Sequence, residues 1–222
     1  MKKILLTAAV MMAAVSAVAQ TNSIDRRHEL AISGGVLSNS QWIDVFEEVA
    51  ASMFGVQKPG SPKVPKEAIA ERYAAVLDLG KEMGVRPLLE YWGHSVNLSR
   101  LEDALDVLKM LNRPDAAVLA DVYHTYRGGS SFAAYRSLSS STLPVLHVND
   151  YPATPQREKL VDANRVWPGD GIAPWGEIFA NLAAAGADPW LSIELFNPEY
   201  WKTTPADTLD VGCGKLLRVA PC

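Results

Sequence analysis

Four apolar runs in this 222-residue chain each end on a residue of a type that binds metals. They read Val85-Arg-Pro-Leu-Leu-Glu90, Ala116-Ala-Val-Leu-Ala-Asp121, Leu143-Pro-Val-Leu-His147 and Trp190-Leu-Ser-Ile-Glu194. Short continuous apolar runs suit strands buried on both faces of a parallel sheet. Roughly 25–50 residues separate their ends, the interval of successive strand–helix units in a β/α barrel. Strand C-termini converge on one face of such a barrel, so two Glu, one Asp and one His would meet on one rim. That donor set suits a divalent cation, with carboxylates left over for proton transfer.

The segments between these runs have helical spacing. Residues 66–83 form an amphipathic pattern that stops at Gly84, as a helix with a glycine C-cap does. Residues 99–111 place Leu101, Leu105, Leu108 and Met110 on one side of a second helix. Further helices are expected over 131–139, 174–185 and 204–218, and a long polar loop runs from the His147 strand to Gly171. Upstream, residues 30–37 and 53–56 read as strands and 41–51 as a helix. About six strands are therefore recognisable, where a closed barrel has eight and ~250 residues. The expected fold class is α/β, a β/α barrel shortened in its N-terminal half, or a truncated version of a longer chain. A second copy of the chain or extra helices would then cover the open side, which makes a homo-oligomer one expectation.

Residues 1–19 stand apart from this pattern. Lys2-Lys3 precedes an apolar stretch from Ile4 to Val15, and Ala17-Val18-Ala19 matches an A-x-A cleavage site. The reading is a signal peptide cleaved after Ala19, with residues 20–222 as one domain in the periplasm or outside the cell. Disulfides are permitted there, yet Cys213 and Cys222 are the only cysteines. A local loop between them and two free thiols both remain open. The mild negative charge, −4 in all, and the lack of a basic run exclude a phosphate-backbone binder. After the leader, no apolar stretch is long enough to cross a bilayer, which takes ~20 residues.

Three segments resemble the xylose-isomerase-like family of sugar (phosphate) isomerases and epimerases. They are Leu88-Leu-Glu90-Tyr-Trp-Gly, Leu119-Ala-Asp121-Val-Tyr-His124, and the stretch from His147-Val-Asn-Asp150 through Arg165-Val-Trp-Pro-Gly-Asp-Gly171 to Ser192-Ile-Glu194. The likeness spans about residues 65–218 and implies a TIM barrel with one divalent ion, Mn²⁺, Mg²⁺ or Co²⁺. By this resemblance the metal ligands are Glu90, Asp121, His147 and Glu194. Glu90 and Glu194 are then also the catalytic acid and base, moving a proton through a metal-stabilised enediolate of a small carbohydrate. A keto-inositol dehydratase on the same site, or a non-catalytic sugar-binding relic, are the alternatives. The resemblance makes His124 and Arg157 substrate-binding residues.

Other residues near these motifs carry weaker signals. Asn149-Asp150 is expected to orient the metal site from behind. The 165–171 turn reads as structural, with glycines supplying unusual backbone conformations. Trp92 and His94 are placed to line the pocket without binding metal, and Tyr200-Trp201 reads as packing.

Overall fold

The computed structural model of the chain describes residues 63–220. The expected leader over 1–19, the expected strands over 30–37 and 53–56, the expected helix over 41–51 and the residue Cys222 lie outside the described residues. So does any pairing between Cys213 and Cys222.

The chain alternates strand and helix. Helix α1 (Lys66–Met83) leads to β1 (Leu89–Glu90), α2 (Leu101–Leu111), β2 (Val118–Asp121) and α3 (Val122–Gly128). Strand β3 (Val145–His147), α4 (Trp175–Ala184), β4 (Trp190–Ser192) and α5 (Pro205–Val219) follow. All four strands are parallel and lie in chain order, β1-β2-β3-β4. Among the described residues β1 and β4 are not paired, so the barrel is not closed there. The strands are shorter than the apolar runs that announce them. In the first run the proline of Val85-Arg-Pro leaves no N–H for the ladder, so regular pairing starts at Leu89.

The register explains how the rim is built. Glu90 pairs with Leu119, Leu119 with Val145, and Val145 with Trp190. Asp121 pairs with His147, and His147 with Ser192. Side chains alternate faces along a strand, so Glu90, Asp121, His147 and Glu194 all share one parity. They also climb across the sheet: Asp121 and His147 stand two positions above Glu90 in register, and Glu194 two above them. A barrel requires that kind of stagger between tilted strands. The opposite parity, Leu89, Ala120, Leu146, Leu191 and Ile193, is buried in the hydrophobic core.

Helix α1 buries Ile69, Tyr73, Val76, Leu77 and Gly80, a stripe of three- and four-residue steps. Each fully buried Ile or Leu contributes roughly 1.5–3 kcal/mol. The Tyr73 hydroxyl fixes this helix to the sheet, lying 3.0 Å from the Pro87 carbonyl and 2.9 Å from that of Ala117. Gly84 ends α1 at φ 70°, a left-handed conformation that favours glycine. On α2 the buried residues are Leu101, Ala104 and Val107, flanked by Leu105 and Leu108. Met110, expected on the apolar side, is exposed. The apolar stripe turns faster than the leucines alone suggested, because Ala104 and Val107 lie between them.

Two elements differ from expectation. Residues 122–128, outside every helix expected above, form α3, although Val-Tyr-His-Thr-Tyr is a poor helix former. The helix exists because Asp121 caps it, its Oδ1 accepting the His124 N–H at 2.7 Å. The segment expected as a helix over 131–139 is a short 3₁₀ turn, Phe132–Ser137.

Candidate metal centre

Glu90, Asp121 and His147 are the last residues of β1, β2 and β3, and Glu194 follows β4 by two residues. Their ligand atoms all lie within 4.8 Å of one another. The Nδ1 of His147 faces three carboxylates, at 3.4 Å from Glu90 Oε1, 3.7 Å from Asp121 Oδ2 and 3.4 Å from Glu194 Oε2. All four side chains are buried. Three carboxylates in so small a volume would repel strongly without a cation, since water screens them poorly there.

The donor atoms fit a divalent ion on an observation internal to the site. Glu90 Oε1 and His147 Nδ1 are buried and satisfy no hydrogen bond. Buried polar atoms are nearly always paired, and here the orphans are an oxygen and an imidazole nitrogen pointed at the same spot. Oxygen donors with one imidazole, and no thiolate, match the preferences of Mn²⁺, Mg²⁺, Co²⁺ or Zn²⁺.

The four side chains of the rim share their charge unevenly. Burial pushes the Glu90 carboxyl up to about 7, with the nearby Glu194 charge adding to the effect and His147 opposing it. Burial also raises Asp121, although Arg165 and His147 work against it. For Glu194 burial acts upward too, yet His147 and Arg165 outweigh it and hold the carboxyl well below the usual carboxylate range. Burial disfavours a charged His147, but Glu194 and Glu90 overcome that and hold the imidazole well above its ordinary value.

Neighbouring side chains keep the rim in place. Asn149 Nδ2 donates to Asp121 Oδ2 at 2.7 Å and to the Glu194 carbonyl at 3.3 Å, while its Oδ1 accepts the Tyr123 N–H at 2.8 Å. One amide thus ties β2, α3 and the end of β4 together. Below it the Thr125 hydroxyl donates to the Asp121 carbonyl at 2.7 Å and lies within hydrogen-bond distance of Tyr91 and Tyr135. Asp150, expected to share the task of Asn149, has another. Its Oδ1 accepts from Tyr151 and Ala173, and its Oδ2 from Gly169 and the Trp175 indole, so it organises the 169–175 segment instead. A side chain at Gly171 would collide with that carboxylate and with the Tyr151 carbonyl.

His124 is brought to the cluster and is buried; burial and the Arg165 charge hold its imidazole well below the ordinary value. Arg157 is not brought there. Its side chain is exposed, pairs with its neighbour Glu158 and lies 6.0 Å from the Tyr126 ring. The arginine at the site is Arg165, whose Nη1 donates to Glu194 Oε2 at 2.9 Å and to Asp121 Oδ2 at 3.2 Å. The turn that carries it therefore does more than shape the backbone. Three buried carboxylates demand a counter-charge, but six arginines lie between Glu90 and Glu194, and nothing in the sequence singles out Arg165 among them. Trp92 and His94 stand beside the site, each with its ring centroid 6.4 Å from that of His124. His94 Nε2 lies 3.0 Å from the Tyr123 hydroxyl and outside the ligand cluster. Tyr200 packs on Trp167 with ring centroids 4.7 Å apart, whereas Trp201 is exposed.

Comparison with known proteins gives a consistent picture. An inosose isomerase of Bacillus velezensis is 30% identical over 152 residues, 66% of this chain and 54% of that protein. An inosose isomerase of Bacillus subtilis is 25% identical over 176 residues, 79% of this chain and 63% of that protein. This chain thus spans little more than half the length of the curated relatives it matches. Among solved structures, the IOLI protein with a bound zinc atom superposes with a TM-score of 0.67 at 24% identity, covering 86% of this chain and 74% of that one. That likeness shows the fold. Residues 35–213 match the model of the xylose isomerase-like TIM barrel, and with most of its length inside that match the chain belongs to the xylose isomerase-like TIM-barrel family.

Proposed function

We propose that this protein is a divalent-metal-dependent isomerase or epimerase of a sugar or sugar-like polyol carrying a ketone. The observation that carries the reading is the placement of Glu90 and Glu194, one on each side of His147, with a carboxylate oxygen of each 3.4 Å from Nδ1. Glu90, Asp121, His147 and Glu194 would hold the ion. When bound, it would supply Lewis acidity that acidifies the carbon–hydrogen bond next to a carbonyl and binds the substrate's oxygens. One glutamate removes that proton and the other returns one, as positioned acid–base pairs do. Return to the same carbon from the opposite face inverts it; return to the neighbouring carbon, with the hydroxyl proton passing to the former carbonyl oxygen, moves the ketone. Asn149 and Arg165 keep the Asp121 and Glu194 carboxylates from swinging away. The names of the relatives, inosose isomerases among them, support this substrate class. The leader-like residues 1–19 support an activity outside the cytoplasm.

The test is a panel of ketoses and keto-inositols in D₂O with Mn²⁺, Co²⁺, Mg²⁺ or Zn²⁺ added. Deuterium is expected at the carbon beside the carbonyl, and is expected to vanish in Glu90→Gln and Glu194→Gln. Complete turnover with no deuterium in product or recovered substrate would overturn the two-glutamate reading.

A further inference from the structure

Three buried hydroxyls, those of Tyr91, Thr125 and Tyr135, meet beside the Asp121 main chain. Thr125 Oγ1 donates its only proton to the Asp121 carbonyl at 2.7 Å. The Tyr91 and Tyr135 hydroxyls both lie within hydrogen-bond distance of that same oxygen, the latter at 2.8 Å. A hydroxyl carries one proton and two lone pairs, so both phenols must donate and Thr125 must accept twice. Three protons thus meet three acceptor sites, and the node is complete.

Each member comes from a different element. Tyr91 directly follows the ligand Glu90, Thr125 lies one turn into α3, and Tyr135 belongs to the Phe132–Ser137 turn. The ladder between β1 and β2 stops at Glu90 and Leu119, two residues short of Asp121. Past that point the node joins the two strand ends, with the Tyr91 hydroxyl also 3.4 Å from the Asp121 carbonyl. We infer that Thr125 is a positioning residue for the ion: through Tyr91 and the Asp121 carbonyl it fixes the spacing of Glu90 and Asp121, and so favours a small cation over Ca²⁺. Ca²⁺ takes oxygen ligands at roughly 2.3–2.6 Å in pliable cages and Mg²⁺ at roughly 2.0–2.1 Å in strict ones, so stiffness between ligands bears on the choice. The inference rests on the proposed function only in needing a divalent ion at the rim.

Isothermal titration of the full chain with Mn²⁺ and with Ca²⁺ tests this, with Tm recorded for each variant. Thr125→Val keeps the side-chain shape and removes the hydroxyl, and Tyr91→Phe cuts the link to the residue after Glu90. In both, Mn²⁺ binding is expected to weaken by roughly tenfold or more, as for other partners behind metal ligands, while Ca²⁺ binding stays nearly the same. Thr125→Ser is expected to retain the ratio of the two affinities. Tyr135→Phe removes a donor from outside the two strands, and is expected to lower Tm and leave the ratio alone. A purely structural node would lower Tm in every variant and shift the ratio in none, and that result overturns the inference. So does a ratio moved as far by Tyr135→Phe as by Tyr91→Phe. Should Thr125→Val fail to fold, Tyr91→Phe decides. The expected ratios in a protein that turns over no ketose or keto-inositol would keep this inference and sink the proposed function. Turnover with an unchanged ratio would do the reverse, and a chain that binds neither ion overturns both.

Discussion

Asp150 and the Glu90–Glu194 rim are both buried carboxylate sites, and they behave in opposite ways. Asp150 receives four donors, three backbone N–H groups and an indole N–H. Its charge is met in full and nothing is left over for a ligand. At the rim, Glu90 Oε1 and His147 Nδ1 receive none. A buried acid by itself therefore says little about chemistry; what distinguishes the rim is incomplete pairing at several atoms aimed at one place. Structure is built where the bonds are complete, and binding capacity resides where they are not.

The largest consequence falls on the saturated site. Asp150→Ala would leave four donors without an acceptor, at a cost of about 1–3 kcal/mol each where water cannot reach. With partial rehydration we expect a net loss of about 4 kcal/mol, which lowers Tm by ~10 °C in a chain of this size. Thermal unfolding checks it, and a loss under about 1 kcal/mol would mean that Asp150 is not the hub described here.

Substitutions at the rim should separate stability from metal response. Glu194→Gln breaks the buried pair with Arg165 and is expected to cost about 3 kcal/mol in the metal-free protein. Glu90→Gln removes a carboxylate that burial already disfavours, so the metal-free protein should change by less than ~1 kcal/mol. For the unaltered protein, Mn²⁺ or Co²⁺ at a hundred times its dissociation constant should add about 2.7 kcal/mol. Both variants should lose that gain. A Glu90→Gln protein that is still stabilised as strongly by metal would remove Glu90 from the ligand set.

The same contrast governs how much of the molecule was legible in the sequence. Glu90, Asp121, His147 and Glu194 were legible because a strand imposes a period of two, and each follows an apolar run. Helix α1 was legible from end to end, since its apolar spacing and the Gly84 cap agree. Arg165 was not, because its place depends on the Asp150–Val166 bridge, a long-range pairing within an irregular segment. Helix α3 was hidden for a related reason: its residues have low helix propensity, and the cap that starts it is also a site carboxylate. Arg157 had the right chemistry and a neighbouring position in the chain, but the 3₁₀ turn Arg157–Lys159 leaves it exposed.

The contrast also appears in how stability changes with pH. In the metal-free protein the folded Glu90 carboxyl sits at about 7, above its unfolded value of about 4.3. Its contribution to stability is therefore present below about pH 4 and lost as pH rises through 7. His147, raised above its unfolded value, likewise stabilises the fold below about pH 6.5 and loses that effect as pH rises through its higher folded value. Between pH 6 and 8 both terms make the metal-free protein less stable with rising pH. A bound cation requires both groups to have released their protons, so its stabilisation should grow over the same interval, by about 1.4 kcal/mol per pH unit for each proton displaced. Tm measured with and without Mn²⁺ across that range should diverge as pH rises. Parallel curves would mean that neither Glu90 nor His147 gives up a proton to the ion, and the unpaired atoms of the rim would then need another occupant.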